Sequence, residues 1–330
     1  MGGAASAADE PEAEARVDGT RRRDGNGISA PDDAPITDIA LPERFGFRWV
    51  LGFLAARTVP SLESVSDGEY RRSVRLDGRP VVLTISARAE GNGRAGVAAL
   101  TVSSRPTLQP DALLNAVTRM LDLDADLPAF HRVARRDPVL GVIVRGRAGI
   151  RLPQLLDPFE GLARGILGQQ VSVAGASTMT DRLVRLFARP VRGAPRSGFL
   201  AFPTAGDVAE AGADRLRALG LTNARAATLA TAARHIADGV LDLEALRRTP
   251  GAEAQSALTG LPGIGPWTAS YVRMRALGDR DAFPAADLGV IKAMSAAGVD
   301  RKSIESVAER WRPWRGYATL HLWASLASAK

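Results

Sequence analysis

Hydrophobic residues recur at helical spacing over residues 47–56, which predicts a short opening helix. Two runs rich in β-branched and apolar residues, 70–76 and 81–86, flank Asp77-Gly78, a strong signal for a two-residue hairpin turn. A third strand fits 97–103. Pro110 then stands where a helix can start, with Leu113, Leu114, Val117 and Leu121 on one face of it. This pattern makes residues 41–124 a small α+β N-terminal domain. Beyond it the chain reads as helices over 159–167, 171–187, 213–219, 224–237, 252–258, 269–277, 288–297, 304–311 and 317–326, punctuated by Gly and Pro. Residues 125–330 are therefore expected to form a mainly α-helical domain, with a helix-hairpin-helix at about 252–278. Residues 1–40 are rich in Gly, Ala, Asp, Glu and Pro without periodicity, and read as a disordered tail.

Composition narrows the chemistry. A length of 330 residues allows two domains at roughly 150 residues each, and 45% hydrophobic with 24% charged residues is a globular balance. The absence of cysteine excludes disulfides, thiolate zinc sites, cysteine-ligated iron–sulfur clusters and a thiol nucleophile. His131, His235 and His321 show no HExxH or HxH spacing, so a zinc enzyme is not expected. Apolar runs such as 139–144 fall far short of the roughly 18 residues of a membrane span, and no export signal opens the chain; a cytoplasmic protein is expected. The net charge of +7 hides an acidic stretch over 1–40 and a basic remainder. Such a body suits a polyanion, because cationic side chains neutralise phosphates and release counterions. Only three of the 43 basic residues are lysines (Lys292, Lys302, Lys330), and the arginine bias of a GC-rich coding sequence gives the same count.

Three local features carry chemistry. In Leu261-Pro262-Gly263-Ile264-Gly265-Pro266-Trp267-Thr268-Ala269, two glycines let the backbone turn tightly and leave the amides of the next helix free for an anion. Bound to DNA, that anion is a backbone phosphate; the same glycines also occur in ordinary interhelical turns. Further on, Asp287 is the one carboxylate in the stretch Phe283-Pro284-Ala285-Ala286-Asp287-Leu288-Gly289-Val290-Ile291. A partly desolvated aspartate there can stabilise positive charge on a sugar, and an aspartate opening a helix can equally be its N-cap. Lastly, Trp267 and Tyr271 share one helix face, and Trp311, Trp314, Tyr317 and Trp323 crowd the final twenty residues. Aromatic faces can sandwich an extruded base or fill a core.

Together these features resemble the helix-hairpin-helix DNA glycosylase superfamily, most closely its AlkA-type 3-methyladenine DNA glycosylase II branch. The resemblance runs from about residue 45 to 323. It includes Trp49-Val50-Leu51-Gly52-Phe53-Leu54-Ala55-Ala56-Arg57, Phe159-Glu160, Ile166-Leu167-Gly168-Gln169-Gln170-Val171-Ser172, the hairpin, the Asp287 segment and Glu309-Arg310-Trp311-Arg312-Pro313-Trp314-Arg315-Gly316-Tyr317. It implies a monofunctional glycosylase that flips alkylated bases of the 3-methyladenine and 7-methylguanine type from double-stranded DNA and hydrolyses them away, leaving an abasic site. Asp287 would be the catalytic carboxylate. Phe53, Trp267, Tyr271, Trp323 and Leu288 would line the base pocket, and Gly263, Gly265, Trp267, Thr268 and Gln170 would meet DNA. The carbonyls of Thr259, Leu261 and Ile264 would surround Na⁺ or K⁺, with no other cofactor required and a monomer sufficient.

Members that also cut the strand carry a lysine where this chain has Trp267, because a Schiff base needs an amine; the lyase route is therefore closed. Gln170 stands in place of the branch's leucine wedge, and Leu288 in place of its aromatic residue after the aspartate. These departures leave open the excision of deaminated or oxidised bases. A non-catalytic scaffold for damaged DNA is the alternative outside enzymes.

Overall fold

A computed structural model describes residues 37–42, 45–89, 97–194 and 197–327. The tail expected over 1–40 lies outside the described residues as far as 36, but its last four residues form a strand. That strand, β1 (Thr37–Ala40), pairs antiparallel with β5 (Val97–Arg105). Alternation over only four residues turns Ile39 inward opposite Leu100, a pattern too short to stand out beside an acidic stretch.

Between these strands come α1 (Phe47–Ala55), β2 (Glu63–Ser66), β3 (Glu69–Leu76) and β4 (Arg79–Ala89), giving the sheet order β1-β5-β4-β3-β2. Asp77 and Gly78 join β3 to β4 with φ of 48° and 74°, the left-handed pair that the sequence requires for a hairpin turn. Helices follow: α2 (Pro110–Leu121), α3 (Leu127–Arg136), α4 (Leu140–Ile143), α5 (Pro158–Leu167), α6 (Val173–Phe187), α7 (Ala205–Arg217), α8 (Asn223–Ala237), α9 (Leu243–Leu246), α10 (Gly251–Thr259), α11 (Pro266–Arg275), α12 (Leu288–Ala296), α13 (Ile304–Ala308) and α14 (Arg315–Ala327). The sequence pattern overlooks β2, α4 and α9, which are only four residues long, and α3, which carries three arginines in ten residues.

Two large hydrophobic cores result, and they ignore the boundary expected at 124. The first joins the sheet, α1 to α4 and the C-terminal helices, burying Leu83, Phe130, Met294, Trp311 and Tyr317 together. The second joins α5 to α11, with Val59 and Leu62 reaching in from the connection between α1 and β2. A helix's apolar stripe says which face is buried but not against which partner, so only the structure reveals this pairing of distant segments.

Two sets of contacts hold α11, α5 and the sheet together. A Cβ on Gly161 would lie 2.2 Å from that of Ala276, and one on Gly165 would lie 3.2 Å from Val272, so glycine lets α5 and α11 approach closely. A buried ion network ties the sheet to α5: Arg72 meets Glu160 at 2.7 Å, and Arg164 meets Glu160 at 2.8 Å and Glu63 at 2.6 Å. Tyr70 also donates to Glu63. Breaking one partner of such a cluster strands a buried charge.

Candidate active site

The hairpin is built as its glycines require. Gly263 has φ of 82°, and a Cβ there would fall 1.9 Å from Thr228 Oγ1, so both backbone and space demand glycine. Gly265 caps α11 without a side chain and Pro266 occupies the first turn, so the amides of Trp267 and Thr268 have no acceptor within the helix. Gln169 braces the turn, donating at 3.0 Å to the Gly263 carbonyl and at 3.0 Å to Thr268 Oγ1. Its neighbour Gln170 is exposed and left-handed, with φ of 54°. In the turn itself, the Leu261 carbonyl accepts the Ile264 amide at 3.1 Å. Among the described residues no further backbone amide outside the helices reaches the carbonyls of Thr259 or Ile264.

From the hairpin, α11 descends along the cleft with Trp267, Tyr271 and Arg275 on one face, four residues apart. The rings of Trp267 and Tyr271 stack at 5.7 Å and 21°. Opposite them, Phe53 of α1 stacks on Trp323 of α14 at 6.4 Å and 18°, and on Trp49 at 5.2 Å. A cavity of about 330 Å³ opens here, lined by Trp267, Tyr271, Trp323, Asp287, Arg57 and Arg275 among others.

Asp287 stands at the entry to α12 and is both a cap and a cleft carboxylate. Its Oδ1 accepts the Val290 amide at 3.0 Å and the indole N–H of Trp323 at 2.8 Å. Oδ2 accepts the indole N–H of Trp267 at 3.1 Å. Three donors around one side chain suit a carboxylate, which only accepts. Gly289 makes room for this arrangement, since a Cβ there would sit 2.9 Å from Trp323 Cδ1 and 3.0 Å from Asp287 Oδ1.

Asp287, Trp267, Tyr271 and Trp323 thus converge as the sequence predicts. Phe53 does so only indirectly: its ring is 7% exposed and lies beneath the Arg57 guanidinium, 3.8 Å away, so it supports the cavity from behind. Leu288 is a correction. It is 82% exposed and does not line the cavity, because the first residue of a helix is rotated away from its cap. Sequence reasoning missed Gln169, Gly289, Arg57 and Arg275; the last continues the Trp267–Tyr271 spacing by one more turn, a signal that was available. Burial first, and then the nearby charge of Arg275, pulls the Arg57 guanidinium down to about 10. Among the described residues no cluster of His, Asp and Glu could hold a metal, and no helix is long and apolar enough to cross a membrane.

This architecture has clear relatives. Residues 39–157 match the AlkA N-terminal domain, and residues 163–315 match the HhH-GPD superfamily of base excision DNA repair proteins. The chain is 36% identical over 284 residues to DNA-3-methyladenine glycosylase 2 of Escherichia coli, covering 84% of this chain and 93% of that one. It is 38% identical over 310 residues to a probable bifunctional transcriptional activator/DNA repair enzyme AlkA of Mycobacterium tuberculosis, covering 90% of this chain but 59% of that longer protein. Among solved structures, a 3-methyladenine DNA glycosylase from Archaeoglobus fulgidus superimposes with a TM-score of 0.74 at 26% identity, covering 87% of this chain and 97% of that one. The chain belongs to the HhH-GPD superfamily of base excision DNA repair proteins, in its AlkA branch.

Proposed function

We propose that this protein is a monofunctional DNA glycosylase of base excision repair, acting as a monomer in the cytoplasm on double-stranded DNA that contains alkylated bases. The observation that carries this reading is the Asp287 carboxylate, held at the cavity by the indoles of Trp267 and Trp323. The hairpin amides grip a phosphate, and the damaged nucleotide swings into the cavity at a cost of about a few kcal/mol, which is lower for a weakly paired lesion. Trp267 and Tyr271 offer a stacked aromatic wall, to which a cationic alkylated base is further drawn by the ring quadrupoles. As the N-glycosidic bond breaks, its electron pair leaves with the base and positive charge grows on the sugar. Asp287 stabilises that charge from a fixed position, with its two indole donors preventing it from swinging away. Water then bonds to the sugar carbon and sheds a proton, leaving an abasic site.

Trp267 supplies no amine, and of the two described lysines neither Lys292 nor Lys302 lines the cavity, which supports hydrolysis without strand cleavage. Any structural Na⁺ or K⁺ is assigned to the carbonyls of Thr259, Leu261 and Ile264, an all-oxygen set that would suit a monovalent cation; those of Thr259 and Ile264 accept no backbone amide from outside the helices among the described residues. When bound, Na⁺ or K⁺ would stiffen the turn beside the phosphate.

The test is chromatography of free bases released from methylated duplex DNA by the wild type and by Asp287→Asn. Release of 3-methyladenine and 7-methylguanine, reduced about 10²-fold or more in a variant that still binds DNA, is the expected result. A wild type that binds DNA yet releases neither, nor uracil, hypoxanthine or 8-oxoguanine, would make the protein a damage-binding scaffold.

A further inference from the structure

The cavity holds more positive charge than an alkylated base would choose. Four arginines line it, and two are neutralised: Arg72 and Arg164 pair with Glu160 and Glu63. Arg57 and Arg275 form no ion pair among the described residues. Arg275 is 3% exposed; its Nε donates to the Pro153 carbonyl at 2.7 Å, and its Nη1 is buried with no hydrogen-bond partner among the described residues. Its guanidinium lies 4.8 Å from the centre of the Phe53 ring, against which Arg57 also lies. Arg57 spends one donor on the Phe53 carbonyl at 3.1 Å. A buried donor without an acceptor is costly, so the site is poised for a ligand atom that accepts.

We propose that Arg275, with Arg57 beside it, stabilises the departing anion of neutral damaged bases that carry a carbonyl oxygen, of the hypoxanthine and uracil kind, and is therefore the determinant of their excision. The proposal rests on the glycosylase reading of the same cavity. When a neutral base leaves, the bonding pair makes it an anion whose charge spreads to its ring nitrogens and carbonyl oxygen. A guanidinium donating to that oxygen lowers the barrier, and the proton later shed by the attacking water restores the base to its neutral form. A cationic N-alkylpurine leaves as a neutral molecule, and the water's proton goes to solvent. It gains nothing from a guanidinium and is repelled by it in the ground state. The depressed Arg57 guanidinium fits two cations that lack full compensation. Arg275 is the stronger candidate because its unpaired Nη1 is buried, whereas Arg57 is half-buried at the cavity edge.

Single-turnover excision from duplexes carrying either hypoxanthine or 7-methylguanine tests this, with the wild type, Arg275→Gln, Arg275→Lys and Arg57→Gln. Arg275→Gln should slow hypoxanthine release at least tenfold more than 7-methylguanine release. Arg57→Gln should shift the ratio in the same direction by less, and Arg275→Lys should recover part of the loss. Equal losses on both bases, in variants whose melting temperatures match the wild type, overturn the proposal in favour of a packing role. If Arg275→Gln does not fold, Arg57→Gln decides by the same ratio. A wild type that releases 7-methylguanine but no hypoxanthine also overturns it while leaving the glycosylase reading intact, and one that releases neither removes both.

Discussion

The indole N–H of Trp323, on α14, donates at 2.8 Å to Oδ1 of Asp287 at the head of α12. The contact depends on Gly289, because a Cβ there would press on the same indole at 2.9 Å. Gly289→Ala should therefore displace Trp323 and slow base release about tenfold, with a change in stability of about 1 kcal/mol. Single-turnover kinetics beside a thermal melt would check this; an unchanged rate would mean that the Trp323 contact is dispensable.

The two indole donors share one carboxylate. A hydrogen bond to a charged group contributes about 1.5–3 kcal/mol, so Trp267→Phe and Trp323→Phe, which keep a ring, should each slow excision about 10- to 100-fold. Because both act through Asp287, the double variant should lose less than the product of the two effects. Strictly multiplicative losses would show that the tryptophans act separately.

Gly263→Ala meets two obstacles, a positive φ and a near neighbour 1.9 Å away in Thr228. The turn must distort, moving the amides of α11. Affinity for duplex DNA should fall about tenfold and become less sensitive to salt as the phosphate contact is lost. Titrations at two salt concentrations would check this; equal slopes in the two proteins would place the phosphate elsewhere.

His321 gives stability a pH dependence. It is fully buried, neither ring nitrogen has a hydrogen-bond partner among the described residues, and burial first, with the charges of His131 and Arg147 behind it, pulls it down to about 3 from the usual 6.5. Above 6.5 both folded and unfolded chains hold it neutral. As pH falls from there towards about 3, the unfolded chain takes a proton that the folded chain refuses, costing up to about 1.4 kcal/mol per pH unit. The carboxyl of Asp157, raised to about 6 by burial and Glu160, titrates in the same window but is common to wild type and variant. Urea melts of the wild type and His321→Leu between pH 7 and 4 should show the variant losing less stability on acidification; parallel curves would sink the assignment.

What could be read from the chain beforehand follows a physical line. The hairpin was legible because left-handed and close-packed backbone positions are written as glycine, and Asp77-Gly78 was legible for the same reason. Asp287 looked either like a cap or like a catalytic carboxylate; it is a cap whose second oxygen remains turned to Trp267, so the two readings were never exclusive. Leu288 was misplaced because adjacency along a helix does not imply a shared direction. The place of Arg275 one turn beyond Tyr271 was readable, but its unpaired, buried Nη1 is a property of three dimensions. The joining of α2 to α4 with the C-terminal helices was likewise beyond a pattern that reports faces and not neighbours.

The glycines of α5 also bear on how this cavity can change over evolutionary time. With Gly161 and Gly165 holding α11 at backbone distance, the wall carrying Trp267, Tyr271 and Arg275 has no room to shift or to tolerate bulk behind it. The facing wall, from α1 and α14, is held by contacts between side chains, among them Phe53, Arg57 and Trp323, and not by backbone at close approach. New base preferences should therefore accumulate on that side, with α11 acting as a fixed jaw against which the other is reshaped.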